Sequence, residues 1–354
     1  MLTFEDFTFG VEVEFTGAEL VDVETGMQAA LANTNIDVVR ESYNHCTRNH
    51  WKVTTDATVT EHRNYSRGTG FGGELVSPVL RGHAGFAELE QVLAALNSVA
   101  GVTGDDVRCG LHVHLGWRGI NVQHVKNIVQ RYAHHEQSID AWMSPSRRAN
   151  NSRWCSSIAG NGYPLRTVAS HSGSLSSMAG LAGRYYKVNL QSLSRYTTVE
   201  FRQHQGTTDY SKISSWIKFL MAFCQTSKHR TVTACDVSYK RQKRSQAFGE
   251  VRELFEARNW TVRFGGGKWK FSDELGNIRH ELTNNEMFAF YVNGVINTGG
   301  LAKARARQVL NQEFINFYQQ CFTNGQIDDV FEGCDADVRQ FLIDRTAHFA
   351  RRAA

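Results

Sequence analysis

The sequence predicts an α+β protein built around a curved, largely antiparallel sheet. Four short segments alternate charged with apolar residues, and alternate side chains of a strand share one face. These segments are residues 10–15, 73–78, 110–116 and 198–202. Stretches with apolar residues at helical spacing lie between them and predict flanking helices. Charged side chains therefore line one face of the predicted sheet, where they are costly unless they meet metal, phosphate or each other.

The elements follow in chain order. Residues 7–16 alternate cleanly and predict the first strand, and residues 29–32 suggest a short helix. Residues 51–56 are β-rich and polar on one face. Glycine-rich residues 66–73 predict a loop into the strand that carries Glu74, which Pro78 ends.

Helices are predicted over residues 85–100, 121–135 and 212–226 from their apolar periodicity. Residues 144–183, rich in Ser, Gly, Asn and Arg, predict a long loop region, a feature that is usually functional. Further strands are predicted over residues 185–190 and 197–204.

Beyond residue 228 the character of the sequence changes. Basic clusters occupy residues 228–230 and 240–244, a hairpin is predicted over 268–282, and amphipathic helices follow to residue 354. The predicted division is a core of residues 1–227 and a mixed helical and hairpin extension of residues 228–354.

Composition excludes several classes of protein. The 354 residues are 41% hydrophobic and 21% charged, an ordinary globular mixture. No apolar run approaches the roughly 18–20 residues of a membrane span. Residues 1–6 lack a basic region followed by an apolar stretch, so a secretory signal is not expected. A cytoplasmic protein with no membrane partner is expected, its seven scattered cysteines reduced. The net charge of +4 fits anionic small molecules but is too weak to indicate nucleic acid.

Two pairs of residues suggest a metal site. Glu12 and Glu14 share a strand face, where each raises the pKa of the other unless a cation such as Mg²⁺ lies between them. Solvated glutamates on an edge strand are the alternative. His112 and His114 share a face in the same way and are metal ligands, zinc included, or ordinary core or surface histidines.

Other charged side chains extend this face. Glu200 and Arg202 add a carboxylate and a cation that suits phosphate oxygens, unless they form a simple salt bridge. Asp56 and Glu74 add further carboxylates. Each pair is ambiguous alone, but together they favour a sheet face that holds metal ions and a triphosphate.

The order of these motifs resembles the amidoligase family. The segments are GVEVEF, W-x-V-x-x-D, GELVSPVL, CGLHVHLG, RYYKVNLQSL and TVEFRQHQGTTD, and the resemblance covers roughly residues 7–225. This family belongs to the carboxylate–amine ligase superfamily, which contains glutamine synthetase and glutamate–cysteine ligase. The resemblance implies a glutamine synthetase-like fold and an ATP- and Mg²⁺- (or Mn²⁺-) dependent ligase. Such an enzyme phosphorylates a small-molecule or peptide carboxylate, and an amine then attacks the acyl phosphate to form an amide.

The resemblance also implies roles for individual residues. Glu14 and Glu74 would hold one metal, with Asp56 a weaker candidate. A second set would hold the metal that bridges the ATP phosphates: Glu12, His112 and Glu200. His114 would lie near the nucleotide phosphates, and Arg202 would stabilise the transferring phosphoryl group.

Candidates for substrate contact lie in the long polar loop and in two of these segments. Arg147, in the long polar loop, is preferred over Arg148 and Arg153 as the cation for an acid substrate. Asp56 and Asn189 are further candidates for the pocket, and Asp56 or Asp209 for the base that deprotonates the amine.

Two alternatives stay open at this stage. One is a zinc-dependent hydrolase that uses the His112/His114 pair and acts without ATP. The other is a non-catalytic protein that associates with nucleic acid through the basic clusters after residue 228.

Overall fold

The structure, a computed structural model, describes residues 3–64, 68–159, 162–230, 259–284 and 328–352, with the single residues 248, 252, 255, 256 and 287. The chain divides into two compact units. The first comprises residues 1–128 and 170–229, and the second comprises residues 129–169 and 230–354. The predicted boundary at residue 227 stays a prediction.

Nine strands in the described part of the chain belong to the first unit. They are β1 (Phe7–Glu19), β2 (Val38–Arg40), β3 (Trp51–Thr54), β4 (Glu61–Asn64), β5 (Thr69–Val76), β6 (Leu80–Arg81), β7 (Gly110–Trp117), β8 (Val188–Asn189) and β9 (Val199–Gln205). The second unit contains β10 (Thr261–Gly265), β11 (Lys268–Ser272) and β12 (Ile278–Leu282).

The helices lie between and after these strands along the chain. They are α1 (Leu20–Ala30), α2 (Gly82–Ser98), α3 (Val122–Ala141), α4 (Leu165–Ser170), α5 (Leu175–Ala179), α6 (Ser192–Tyr196), α7 (Tyr210–Thr226), α8 (Asp328–Phe331) and α9 (Ala336–Arg352). None of the helices in the described part of the chain combines the length and apolar character that crossing a membrane requires.

The strands of the first unit form one large sheet. Its order is β2-β3-β5-β1-β7-β9-β8, with β4 paired to β5 and β6 paired to β1. Only the β2–β3 pair is parallel among the described strands, so the sheet is mostly antiparallel. The predicted α+β class with a large, largely antiparallel sheet is confirmed.

One face of this sheet is apolar and packs against helices. Val13 in β1 and Val113 in β7 are fully buried. Phe86 of α2 packs against Phe9 of β1 with ring centroids 4.8 Å apart, and α1 and α7 pack against β5 and β7. The helical layer covers this face, which leaves the charged side chains on the other.

Glycine in β5 allows close strand approach. A Cβ atom added to Gly73 would lie 2.3 Å from the carbonyl oxygen of Thr54, which is closer than any side chain tolerates. The prediction of a loop over residues 66–73 is therefore wrong from Thr69 onwards, where these glycines lie within β5. Residues 65–67 lie outside the described residues.

Two other local predictions need correction. The first helix begins at Leu20, directly after β1, because Leu20, Val23 and Met27 form a buried helical stripe. The predicted long loop of residues 144–183 contains the short helices α4 and α5, too short for sequence periodicity to reveal.

The second unit has its own small sheet, with strand order β10-β11-β12. The hairpin predicted over residues 268–282 is formed by β11 and β12, and the backbone N–H of Leu275 donates to Asp273 in its turn. Phe255 packs edge-on against Phe271 at 4.9 Å between ring centroids. The basic cluster at residues 240–244 lies outside the described residues.

Candidate functional site

The strand register brings the charged residues of the first unit into one cluster. Side chains directly opposite each other in neighbouring strands point to the same face and approach closely. The paired residues are Glu74–Glu14, Glu12–His112, His114–Glu200 and Glu200–Asn189. The cluster therefore follows from alternation along each strand and register between strands.

Glu12 lies at the centre of this cluster. His112 Nδ1 donates to Glu12 Oε2 at 2.9 Å, and His114 Nε2 lies 3.4 Å from Glu12 Oε1. Burial raises the pKa of Glu12, but hydrogen bonds from the two imidazoles and their charges outweigh it and hold the pKa well below the usual range. The side chain keeps 28% of its surface exposed, so Glu12 is an anion within reach of ligands.

Glu200 is held by two neighbours on β9 and β8. The guanidinium of Arg202 donates to Glu200 Oε1, and Asn189 Nδ2 donates to Glu200 Oε2 at 2.5 Å. Burial raises the pKa of Glu200, but the charges of Arg202 and the two imidazoles together outweigh it and lower the pKa. Arg202 Nη1 also lies 3.5 Å from His112 Nδ1, which places the guanidinium beside the central cluster.

His114 connects the two sides of the cluster. Its Nε2 lies 3.8 Å from Glu200 Oε2, and its Nδ1 lies 3.0 Å from Thr198 Oγ1. Burial lowers the pKa of this imidazole, but the neighbouring carboxylates, Glu200 first, outweigh it and raise the pKa.

Glu14 of β1 and Glu74 of β5 extend the charged cluster onto β5. Glu14 Oε2 accepts from the backbone N–H of Gly110 at 2.6 Å. Burial, together with the charges of Glu12, Asp56 and Glu14, raises the pKa of Glu74 well above its usual range. A divalent cation at this point would relieve the repulsion that raises the pKa.

Two groups of residues could each hold a metal ion. One consists of Glu12, His114 and Glu200, and the other of Glu12, Glu74 and His112, with the ligand atoms of each group within 4.8 Å of one another. Glu12 belongs to both. The grouping differs from the one implied by the resemblance, in which Glu14 joins Glu74 and His114 contacts the nucleotide, and those roles stay predictions.

The residues predicted to bind substrate have different surroundings. Asp56 Oδ1 accepts from the backbone N–H of Thr58 at 2.7 Å and from its hydroxyl, and its charge acts on Glu74. Asn189 positions Glu200. Arg147 belongs to the second unit, where it is 5% exposed and its Nη1 lies 3.8 Å from Cys155 Sγ.

Sequence reasoning missed Lys52 and Thr54 of β3. They share the site face with Glu74, because Thr54 is paired directly with Glu74 and Lys52 with Val76. The signal was present in the alternation of residues 51–54, where Lys52 and Thr54 face one side. The prediction singled out only Asp56 from this segment.

The first unit is thus a helix-backed, mostly antiparallel sheet with buried carboxylates, imidazoles and a guanidinium gathered on the face opposite the helices. The model of a family described as putative amidoligase enzyme matches residues 5–224, well over half of the chain. The chain belongs to this amidoligase family, and membership indicates an enzyme that forms amide bonds. A search of curated proteins finds no match.

Proposed function

We propose that this protein is an ATP- and Mg²⁺-dependent carboxylate–amine ligase. In the proposed reaction a substrate carboxylate attacks the γ-phosphate of ATP, and ADP leaves. An amine then attacks the resulting acyl phosphate, which gives the amide and releases inorganic phosphate. The observation that carries the proposal is Glu12, an anionic carboxylate common to two groups of metal-ligating side chains. The family match supports the amide-forming outcome.

The residues present fit divalent cations. Each group offers two carboxylates and one imidazole, and oxygen-rich ligand sets favour Mg²⁺ or Mn²⁺ over a structural zinc. Mg²⁺ ions, when bound, would neutralise phosphate charge and align the reacting oxygens. The candidates to hold them are Glu12 with His114 and Glu200, and Glu12 with Glu74 and His112.

The protein's own contribution is positioning and charge. Arg202 is buried, and its pKa is raised because the carboxylates, Glu200 foremost, outweigh the cost of burial. A fixed guanidinium would stabilise the negative charge that develops on the phosphoryl oxygens in the transition state. Asn189 and Arg202 each hold one oxygen of Glu200, so the carboxylate is oriented before a ligand arrives.

The fold we propose for the catalytic unit is the glutamine synthetase-like arrangement. The support is a mostly antiparallel sheet that carries the charged cluster on one face and helices on the other. In such an arrangement a substrate reaches the carboxylates without crossing the apolar core.

Isothermal titration with a non-hydrolysable ATP analogue, with and without Mg²⁺, tests the proposal. Binding that requires Mg²⁺, followed by phosphate release with some pair of acid and amine, is the expected result. Glu61→Gln is the matched control for substitutions of the carboxylates in the metal groups. Glu61 lies on β4 of the same sheet and pairs with Arg108 at 2.6 Å, outside those groups.

Metal analysis of the purified protein separates this proposal from the zinc alternative. Stoichiometric zinc retained through dialysis, with hydrolytic activity in the absence of ATP, would refute the ligase. Mg²⁺-dependent nucleotide binding without bound zinc would support it.

A further inference from the structure

Lys52 is a buried cation on the site face whose hydrogen bonds go to neutral acceptors, although its charge also acts on Glu74. It is 3% exposed, and its Nζ donates to the carbonyl oxygen of Asn44 at 2.8 Å and to Asn44 Oδ1 at 3.3 Å. Among the residues the structure describes, no carboxylate pairs with it. A buried ammonium normally pairs with an anion, because desolvation costs several kcal/mol. One of its three N–H groups remains for another acceptor.

The position of this ammonium is built by the preceding loop. Asn44 Nδ2 donates to Glu41 Oε2 at 2.8 Å, and the backbone N–H of Cys46 donates to Asn44 Oδ1 at 2.9 Å. Glu41 is fixed in turn by Arg48 and His50, each at 2.8 Å. Lys52 is therefore held at a defined point rather than free to reach solvent.

Thr54 supplies a second group at the same place. Its hydroxyl is buried and has no hydrogen-bond partner in the described part of the chain, although it lies directly across from Glu74. An unpaired buried hydroxyl costs about 1–3 kcal/mol in stability. A bound ligand is one explanation for such a group, and Thr54 differs from the other unpaired groups in facing the charged cluster.

We infer that Lys52 and Thr54 form a subsite for a carboxylate of the acid substrate. The inference rests on the proposed function and deepens it. One ammonium and one hydroxyl match the single charge of a carboxylate, whereas a triphosphate requires more cationic groups. The strand order separates Lys52 on β3 from Arg202 on β9 by four strand steps, or about 19 Å at the usual strand spacing. Lys52 would therefore hold a carboxylate of the acid that is not phosphorylated, because the reacting carboxylate must contact the γ-phosphate near Arg202.

The test uses the full chain and a panel of carboxylates. Acetate, glycine, succinate, glutarate and L-glutamate are titrated into the protein by calorimetry and thermal shift, with and without Mg²⁺ and the ATP analogue. At least one carboxylate is expected to bind the natural protein. Lys52→Met should weaken that binding about ten- to hundredfold, because it removes a charged hydrogen bond. Lys52→Arg should retain most of the affinity.

Lys126→Met is the matched control, because Lys126 also donates to a backbone carbonyl, that of His171 at 3.1 Å, but lies on helix α3. It should leave carboxylate binding unchanged. Binding of Mg²⁺ and the nucleotide analogue to Lys52→Met should stay within about threefold of the natural protein, since a threefold change is under 1 kcal/mol. A loss of nucleotide binding with carboxylate binding intact would mean that Lys52 holds a phosphate, and would overturn the inference.

Thr54→Val separates a ligand contact from a structural role. Removing an unpaired hydroxyl should leave the free protein as stable or more stable, yet weaken carboxylate binding. Thr55→Val removes another unpaired buried hydroxyl and gives the stability change for comparison.

The remaining outcomes distinguish failure of the carboxylate subsite from failure of the ligase proposal. Carboxylate binding that Lys52→Met and Thr54→Val leave intact, or no carboxylate binding to the natural protein, would refute the subsite. Mg²⁺-dependent nucleotide binding in the same samples would show that the ligase proposal survives that result. Absence of nucleotide binding in the natural protein would instead count against the ligase.

Discussion

Substitution of Glu12 by Gln should remove both metal sites at once. Glu12 is common to the two groups, whereas Glu74 and Glu200 each belong to one. A titration with Mn²⁺, followed by the electron paramagnetic resonance signal of the free ion, counts the sites. We expect two sites in the natural protein, none of comparable affinity in Glu12→Gln, and one in either Glu74→Gln or Glu200→Gln.

The magnitude follows from the number of metal ions that Glu12 supports. One preorganised electrostatic contact is worth about 10²–10³-fold in rate, so replacing a residue that supports both ions should cost about 10⁴-fold or more in phosphate release. The stability of the folded state should change by less than about 1 kcal/mol. Gln still offers an oxygen to His112 Nδ1, which is 2.9 Å away, and the side chain is 28% exposed.

The count is decisive because it does not depend on knowing the substrates. If Glu12→Gln kept one Mn²⁺ site of natural affinity, Glu12 would not be shared and the grouping would be wrong. If all three variants kept both sites, the cluster would not bind metal. Glu61→Gln should keep both sites, and equilibrium unfolding in urea verifies that each variant is folded.

Four further predictions concern the support of the site. Asn189→Ala should weaken Mn²⁺ affinity about 10–100-fold in the titration above, because Glu200 loses an orienting hydrogen bond. Arg202→Lys should lower the rate of phosphate release about 10²–10³-fold, since an ammonium lacks the planar fork; an unchanged rate would exclude Arg202 from phosphoryl transfer. Glu41 has its pKa lowered from 4.5 to about 2, chiefly by its arginine partner. The ionised Glu41 carboxylate should therefore stabilise the folded state fully above pH 4.5, and this stabilisation should be lost towards pH 2. Glu41→Gln should lower the free energy of unfolding by about 1 kcal/mol near neutral pH. The loss should be progressively smaller in acid, as measured by urea midpoints. Leu75→Ala should cost about 2–5 kcal/mol by the same assay, because it empties a fully buried position, while leaving Mn²⁺ stoichiometry unchanged.

Alternation along single strands made the site face predictable. Glu12 and Glu14, like His112 and His114, were assigned to one face from the sequence, and the register confirms that they share it. Val13 and Val113 alternate with these residues along the strands, and both are fully buried on the opposite face. This works because the period of a strand is fixed by the backbone and needs no knowledge of its neighbours.

Register between strands was beyond the sequence. The pairing of Glu12 with His112 depends on how β1 and β7 align, and that of His114 with Glu200 depends on an irregularity between Leu111 and Val113. Such shifts arise from packing across the whole sheet. For this reason the metal-ligand groups implied by the motifs differ from the two groups that the geometry brings together.

Contacts made by loops were equally hidden. Lys52 finds its partner in Asn44, which lies earlier in the chain in a connection without periodicity. Nothing in the spacing of these two residues marks them as neighbours, because loop conformation is set by local turns and by the scaffold around it. The glycines before Glu74 led to a wrong prediction of a loop. They lie in β5, where the absence of a side chain allows close packing of neighbouring strands.

The distribution of charge across the sheet gives the proposed reaction a direction. Anionic Glu12 lies on the strand between two buried cations, Lys52 two strand steps to one side and Arg202 two steps to the other. Burial first, and then repulsion from neighbouring carboxylates such as Glu12 and Glu14, raises the pKa of Glu74 and opposes folding unless a cation joins them. In the proposed reaction the acid therefore enters from the β3 side and the nucleotide from the β9 side. The substrate carboxylate would then attack the γ-phosphate directly, on the part of the face around Glu12, where negative charge is concentrated and bound metal ions would be most needed.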